Sequence, residues 1–441
     1  MKQKAPNLIP FDRAKIPPKQ NLFFMPVIWF LCWLLTRGYG LKISKKNMEG
    51  LKPPYLVLAT HHAFMDFYVT PLALFPHRAN YVSELEGFEN YGEWLYRQAG
   101  CLGTRKFIAD IHLVKNIQRV LNRKGILVLY PEARYANVGT FSELPASTGK
   151  LAKMLQVPVV ILNMHGNYLQ SPIWNVKARK GVTLSAEMTQ IFTADELSRA
   201  SVDEINSKIA EYMQYDEYQW QKEHQIKIKD QNRAKGLHMP LYQCPVCKTE
   251  FKMDSAGTEI WCNQCKSIWS MDETGVLHRN ECKVSDATDE KAEKFFEESM
   301  DNTVGFSHIP NWYEWQRDRV IEQIERNEYD LDCKVKIEAL PNAVNFVDCG
   351  EGWLRHKEEG FYLTFQEYGE DTVKTMFFAS KSMFSIHTEY NYREKKGPCV
   401  TLSVADNTYF LFPLEEGFNP TKIQFATEYL YQRNSKLDSI K

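Results

Sequence analysis

His61-His62-Ala63-Phe64-Met65-Asp66 places two imidazoles just ahead of a carboxylate. An imidazole, with an unperturbed pKa of about 6.5, is mostly neutral near pH 7 and can take a proton from a hydroxyl. A nearby carboxylate would fix its tautomer and stabilise the resulting cation. Two other roles stay open on spacing alone: incidental histidines at a helix N-terminus, and a metal site using both. The choice of histidine is open as well. A continuous helix would bring His62 to Asp66 at i, i+4, whereas a preceding turn would let His61 reach it. Further along, Pro131-Glu132-Ala133-Arg134-Tyr135 joins a carboxylate to a guanidinium, whose planar fork suits phosphate. Between the two lies Gly100-Cys-Leu-Gly103-Thr-Arg105-Lys106, which reads as a glycine-containing loop with two cations. Any one cluster is commonplace as a surface ion pair; three after successive elements are harder to ascribe to chance.

A fourth constellation is Cys244-Pro-Val-Cys247 and, after fourteen residues, Cys262-Asn-Gln-Cys265. Two such knuckles supply four thiolates for a tetrahedral Zn2+ in a zinc ribbon; a redox dithiol is the alternative. With no open position and no carboxylate or histidine partner in view, the zinc is expected to be structural. The ribbon is not set among clustered Lys and Arg, so nucleic acid is not an expected partner.

The elements around these residues follow from hydrophobic periodicity. Tyr55–Thr60 (YLVLAT) reads as a buried strand, followed by a turn and a helix from Asp66 to about Leu74. Asn80–Ser83 is a second strand, and Gly92–Gln98 is helical. Residues 109–123 keep helical spacing through Ile111, Val114, Ile117, Val120 and Leu121. Ile126–Tyr130 and Val157–Leu162 are strands, with a helix over Thr148–Leu155 between them. Strands alternating with helices predict an α/β fold: a mostly parallel sheet flanked by helices, followed by a small zinc ribbon and a β-rich C-terminal domain. In such sheets ligands gather outside the carboxyl ends of the strands, where His61, Glu132 and Arg134 fall. His165, after a strand, reads as a satisfied core histidine, and His112 as helix surface.

The domain boundaries expected are 1–46, an N-terminal membrane-associating segment; 47–213, the α/β domain; 214–240, a charged helical linker; and 241–279, the ribbon. Residues 280–330 read as an acidic and helical linker, with one amphipathic helix over Asn311–Asn327. Residues 331–441 read as a β-rich domain with a closing helix at Thr421–Gln432, compatible with a pleckstrin-like barrel. Residues 1–240 hold 31 Lys and Arg against 20 Asp and Glu, a net of +11, and the remainder carries −12. The basic half suits phosphate-bearing ligands or an anionic membrane surface. Six of the ten cysteines are scattered without pattern, which fits a reducing compartment. Leu22–Leu35 is an apolar run of fourteen residues. As a helix it would span about 21 Å, short of the roughly 30 Å hydrocarbon core. Thr36-Arg37 stands where a signal peptide would carry small cleavage-site residues. Pro26, Trp29 and Trp33, flanked by Lys15, Lys19, Arg37 and Lys42, predict a segment lying on or in one leaflet without crossing.

Taken in order, these blocks resemble the glycerolipid acyltransferase family, which includes lysophosphatidate and glycerol-3-phosphate acyltransferases. That family carries an H-x4-D block, a glycine-to-arginine block, a P-E-G-T-R block and a final apolar block with proline. Here these are His61 to Asp66, Gly100 to Arg105, Pro131 to Arg134, and Val157-Pro158-Val159-Val160, matching in order and separation across residues 54–166. The resemblance implies that His61, not His62, is the base, oriented by Asp66. It also implies that Arg105, Glu132 and Arg134 shape an acceptor-phosphate site. The activity implied is transfer of a fatty acyl group from an acyl-CoA or acyl-carrier-protein thioester to 1-acyl-glycerol 3-phosphate. That reaction belongs to phospholipid biosynthesis, at the cytoplasmic face of the cell membrane. Glycerol 3-phosphate or another lysophospholipid would serve the same blocks. A reading of another class is a zinc-ribbon membrane adaptor with an inactive acyltransferase domain; the intact His61/Asp66 pair speaks against it. One departure stands out: Arg134 follows Glu132 by two residues, where the family has three. A bacterial subset with P-E-A-R-Y carries a similar cysteine-rich tail, which would extend the resemblance over nearly the whole chain. An oxyanion would need backbone N–H donors, expected near the start of the Asp66 helix.

Overall fold

A computed structural model describes residues 11–280, 305–367, 372–394 and 396–439. Its first sheet has seven strands: β1 (Lys42–Lys46), β2 (Tyr55–Ala59), β3 (Ala79–Glu84), β4 (Cys101–Thr104), β5 (Ile126–Leu129), β6 (Val159–His165) and β7 (Ser185–Phe192). Their spatial order is β1-β7-β6-β2-β5-β3-β4, and β6, β2, β5, β3 and β4 run parallel. β7 is antiparallel to β6, and β1 is parallel to β7. Alternation along β2 explains the layers. Tyr55, Val57 and Ala59 join one core, while Leu56 and Leu58 join another with Ile117, Val120 and Leu121 of the Ile111–Asn122 helix. That helix starts where Asp110 accepts hydrogen bonds from the N–H groups of His112 and Leu113.

The expected loop at Gly100–Lys106 is instead mostly strand β4. Four residues containing a glycine give little periodic signal, and pairing with β3 decides the conformation. A Cβ on Gly103 would sit 2.6 Å from the Phe11 ring and 2.7 Å from the end of Leu85, so both side chains would have to shift to admit one. β1 is exposed along its whole length, so no hydrophobic alternation marks it. His112 is exposed, as expected.

The two segments expected to link domains are packed into the molecule. In residues 214–240, Tyr215, Tyr218, Ile226, Ile228, Ala234 and Leu237 are buried in the same core as β2. The Ile309–Glu325 helix buries Trp312, Val320 and Ile324, with Trp312 against Trp269 of the ribbon (ring centroids 4.9 Å apart). The rest of the acidic segment, residues 281–304, lies outside the described residues.

The ribbon is a four-stranded antiparallel sheet: β8 (Met253–Ala256), β9 (Glu259–Cys262), β10 (Ile268–Met271) and β11 (Leu277–Arg279). The C-terminal part has seven antiparallel strands: β12 (Leu331–Ala339), β13 (Val347–Lys357), β14 (Gly360–Gln366), β15 (Val373–Ala379), β16 (His387–Glu389), β17 (Cys399–Ser403) and β18 (Thr408–Pro413). Their order is β15-β14-β13-β12-β18-β17-β16, and the Pro420–Ser439 helix closes the chain. Phe425 of that helix packs on Tyr313, so ribbon, helices and first sheet share one core.

Candidate active site and metal centre

Because β2 and β5 are parallel neighbours, paired Leu58 to Leu129, their carboxyl ends open on the same edge. His61 follows β2 and Glu132 follows β5. The helix after β2 begins at Asp66, leaving residues 61–65 as a non-helical stretch that turns at 64 and 65. There it is the side chain of His61, not that of His62, that meets Asp66. His61 Nδ1 lies 3.0 Å from Asp66 Oδ2, in a buried contact. His62 instead points inward, fully buried, with Nε2 2.9 Å from Thr60 Oγ1 and its ring against Tyr215.

Asp66 is held firmly. Its Oδ2 accepts the backbone N–H groups of His62 (2.7 Å) and Ala63 (3.2 Å), and its Oδ1 accepts from Asn167 Nδ2 (2.7 Å). The N–H groups of His62 and Ala63 therefore serve Asp66, not the oxyanion role expected of the helix start. Burial lowers the pKa of His61, and Lys106 and His387 lower it further, against the raising effect of Asp66. The imidazole is thus neutral near pH 7, as a base must be.

Glu132 lies beneath this turn. One carboxylate oxygen accepts the His61 N–H (2.9 Å); the other accepts Ser142 N–H and the Tyr215 hydroxyl, each at 3.0 Å. Burial pushes its carboxyl up to about 7, against the lowering effect of these donors. Its place is structural: it fixes the backbone that carries His61. Ala133 turns the chain in the left-handed region (φ +55°), and this turn sends the next side chain away. Arg134 is buried and donates to Glu428 of the closing helix (2.9 Å), and it lines a separate cavity with Tyr313 and Arg317. It does not share the cavity of His61.

That cavity has a volume of about 420 Å³. His61, Phe64, Phe67, Tyr96 and Tyr135 line it, together with Arg105 and Lys106 beyond the end of β4. The Arg105 guanidinium is engaged elsewhere. Nη1 donates to Leu340 O (2.8 Å) and Thr408 Oγ1 (2.9 Å), and Nη2 donates to Pro341 O (3.1 Å) and Asp406 O (3.0 Å). Arg105 anchors the C-terminal β-rich part against the first sheet. Lys106 Nζ is 2.8 Å from Glu84 Oε2 and 3.1 Å from His387 Nδ1. Sequence reasoning missed Asn167, Glu84 and His387. Asn167 and His387 lie a hundred and more residues from His61, and no local pattern marks them.

His165 is a satisfied histidine, as expected: Nδ1 lies 2.9 Å from Glu217 and the ring stacks on Trp220.

At the ribbon, the Sγ atoms of Cys244, Cys247, Cys262 and Cys265 lie within 4.8 Å of one another. Cys244 and Cys265 are 3.6 Å apart, and Cys247 and Cys262 are 3.7 Å apart. A tetrahedral zinc with bonds of about 2.3 Å needs sulfurs about 3.8 Å apart. The donor set fits. Two equivalent turns build it: Lys248 and Lys266 both adopt positive φ, and Thr249 and Ser267 hydroxyls lie 3.3 and 3.4 Å from Cys247 and Cys265.

No protein-family model and no curated protein matches the chain. Among solved structures, a 1-acyl-sn-glycerophosphate acyltransferase from Thermotoga maritima is similar at 13% identity and a TM-score of 0.36. The match covers 43% of this chain and 77% of that one.

Proposed function

We propose that this protein is an O-acyltransferase that moves a fatty acyl group from a thioester to a hydroxyl of a glycerolipid at a membrane surface. The observation that carries this reading is the His61–Asp66 pair at the carboxyl end of β2, buried and facing a cavity large enough for a lipid headgroup. With Nδ1 held by Asp66, Nε2 is the basic nitrogen. It takes the proton of the acceptor hydroxyl as that oxygen attacks the thioester carbonyl. The tetrahedral intermediate collapses, the C–S bond breaks, and the thiolate takes the proton back from the imidazolium. Ester and free thiol result, and the base is restored.

An apolar face supports the lipid setting. Phe64 and Tyr91 border the cavity and are 42% and 51% exposed. The Met25–Thr36 helix continues that face through Phe24 on Trp94 and Trp29 on Phe75, and it exposes Phe30, Leu31, Trp33 and Leu35. Among the described residues no helix is long and apolar enough to cross a membrane. The helix would lie in one leaflet, with exposed Lys19, Arg37 and Lys42 beside it at the headgroups of the cytoplasmic face. The four cysteines would hold a structural zinc, about one per chain.

The test is acyl transfer by purified protein, given acyl-CoA and acyl-carrier-protein donors and a panel of lyso-acceptors. His61→Ala should lose activity by at least about a hundredfold while keeping its fold and vesicle binding. A variant as active as the parent ends the proposal.

A further inference from the structure

The turn after β5 clasps His61 by both ends of its backbone. Glu132 accepts the His61 N–H (2.9 Å), and the Ala136 N–H donates to the His61 carbonyl (3.0 Å). Tyr135 lies between these two anchors, with its ring against the imidazole (centroids 4.5 Å apart). Tyr130, just past β5, is as near, at 4.4 Å. The two phenols differ in what their hydroxyls do. Tyr130 is buried, and its hydroxyl is 2.8 Å from Thr70 Oγ1. Tyr135 is half-buried and lines the cavity, and among the described residues its hydroxyl has no hydrogen-bond partner. The left-handed turn at Ala133 that sends Arg134 to Glu428 leaves Tyr135 on the His61 side.

Attack of a hydroxyl on a thioester puts negative charge on the carbonyl oxygen, and donors already aimed at that charge lower the barrier. The N–H groups of His62 and Ala63 are spent on Asp66. The Arg105 guanidinium is spent on three backbone carbonyls and one hydroxyl of the C-terminal part, and Lys106 on Glu84 and His387. The Tyr135 hydroxyl is uncommitted. Burial holds its phenol well above the ordinary value near 10, so it keeps its proton and can donate wherever His61 is a base.

From this clasp we infer that Tyr135 is a further catalytic residue, whose hydroxyl donates a hydrogen bond to the thioester carbonyl oxygen as it becomes an oxyanion beside His61. The inference rests on the acyltransferase reading and adds a donor to the His61–Asp66 pair. No proton leaves the phenol. The acceptor's proton passes to His61 Nε2 as the new C–O bond forms. When the C–S bond breaks and the carbonyl re-forms, its oxygen gives up the charge, and the hydrogen bond from Tyr135 weakens again.

Tyr135→Phe removes one oxygen and keeps the ring against His61. The full-length parent and variant are compared in single-turnover and steady-state transfer from acyl-CoA to the lyso-acceptor that the parent acylates best. The single-turnover rate should fall at least about tenfold, with KM for donor and acceptor held within about threefold. The acid limb of kcat/KM should stay where the parent has it, because the imidazole keeps its neighbours. The thermal transition should not move, because the lost oxygen bonds to nothing in the fold. A smaller loss, a loss carried by KM or by a lowered thermal transition, or a displaced acid limb would overturn the inference. Each of those results leaves the acyltransferase reading standing, since the parent is active in all of them. A parent that acylates no acceptor in the panel ends that reading, and the role of Tyr135 with it.

Discussion

His61 is poised by two opposing influences. Asp66 favours its cation, while burial and the nearby Lys106 and His387 disfavour it, and the net direction is downward. A base with a lowered pKa works once deprotonated, so activity should be full above its folded pKa and fall as pH drops through it. The acid limb of kcat/KM against pH is therefore expected below 6.5, the unperturbed value. A limb centred above 6.5 would contradict this environment. That a histidine and Asp66 meet just after β2 was legible in their spacing; that it is His61 and not His62 was implied only by the resemblance, because spacing left both open. The division of labour between Glu132 and Arg134 was not legible. Two residues apart, one braces the turn that carries His61 and the other reaches the closing helix, because the left-handed turn at Ala133 separates their directions.

At the scale of elements, the β-rich part carries a pH-sensitive residue of its own. His356 on β13 is buried, stacks on Phe361 (3.7 Å) and accepts from or donates to the Tyr329 hydroxyl (2.8 Å) through Nδ1. Burial lowers its pKa to about 3, from 6.5. The folded state thus keeps the neutral ring where the unfolded chain would protonate it. Its contribution is intact above pH 6.5 and declines as pH falls from there toward 3. At pH 5 the loss is on the order of 2 kcal/mol. Urea unfolding of the parent and of His356→Gln at pH 7 and pH 5 should show a smaller acid-induced loss in the variant. The ribbon is equally tied to its neighbours through Trp269 and Trp312. Metal analysis should find about one zinc per chain, lost in the Cys244→Ser/Cys247→Ser variant. Because the core is shared, chelation should lower one common unfolding transition and not release a separate ribbon step.

For the whole molecule, Arg105 decides between two roles. A phosphate ligand replaced by Ala would raise acceptor KM and leave thermal stability nearly unchanged. As the anchor of the C-terminal part, Arg105→Ala should destabilise the protein by about 2–4 kcal/mol, since buried carbonyls of Leu340 and Pro341 lose their donor. Differential scanning calorimetry of the variant measures it, and an unshifted transition would return Arg105 to the substrate.

Local sequence determined the His61–Asp66 turn, the parallel strands that present it, and the cysteine knuckles. Each is set by spacing over a few residues and by the buried alternation of short apolar runs. Tertiary structure alone decided what closes the cavity and what each cation holds. Arg105 and Thr408 are 303 residues apart in sequence, and Lys106 and His387 are 281 apart. Such contacts arise only when the first sheet and the C-terminal β-rich part meet, and side chains choose among partners by proximity and desolvation, which no linear pattern records.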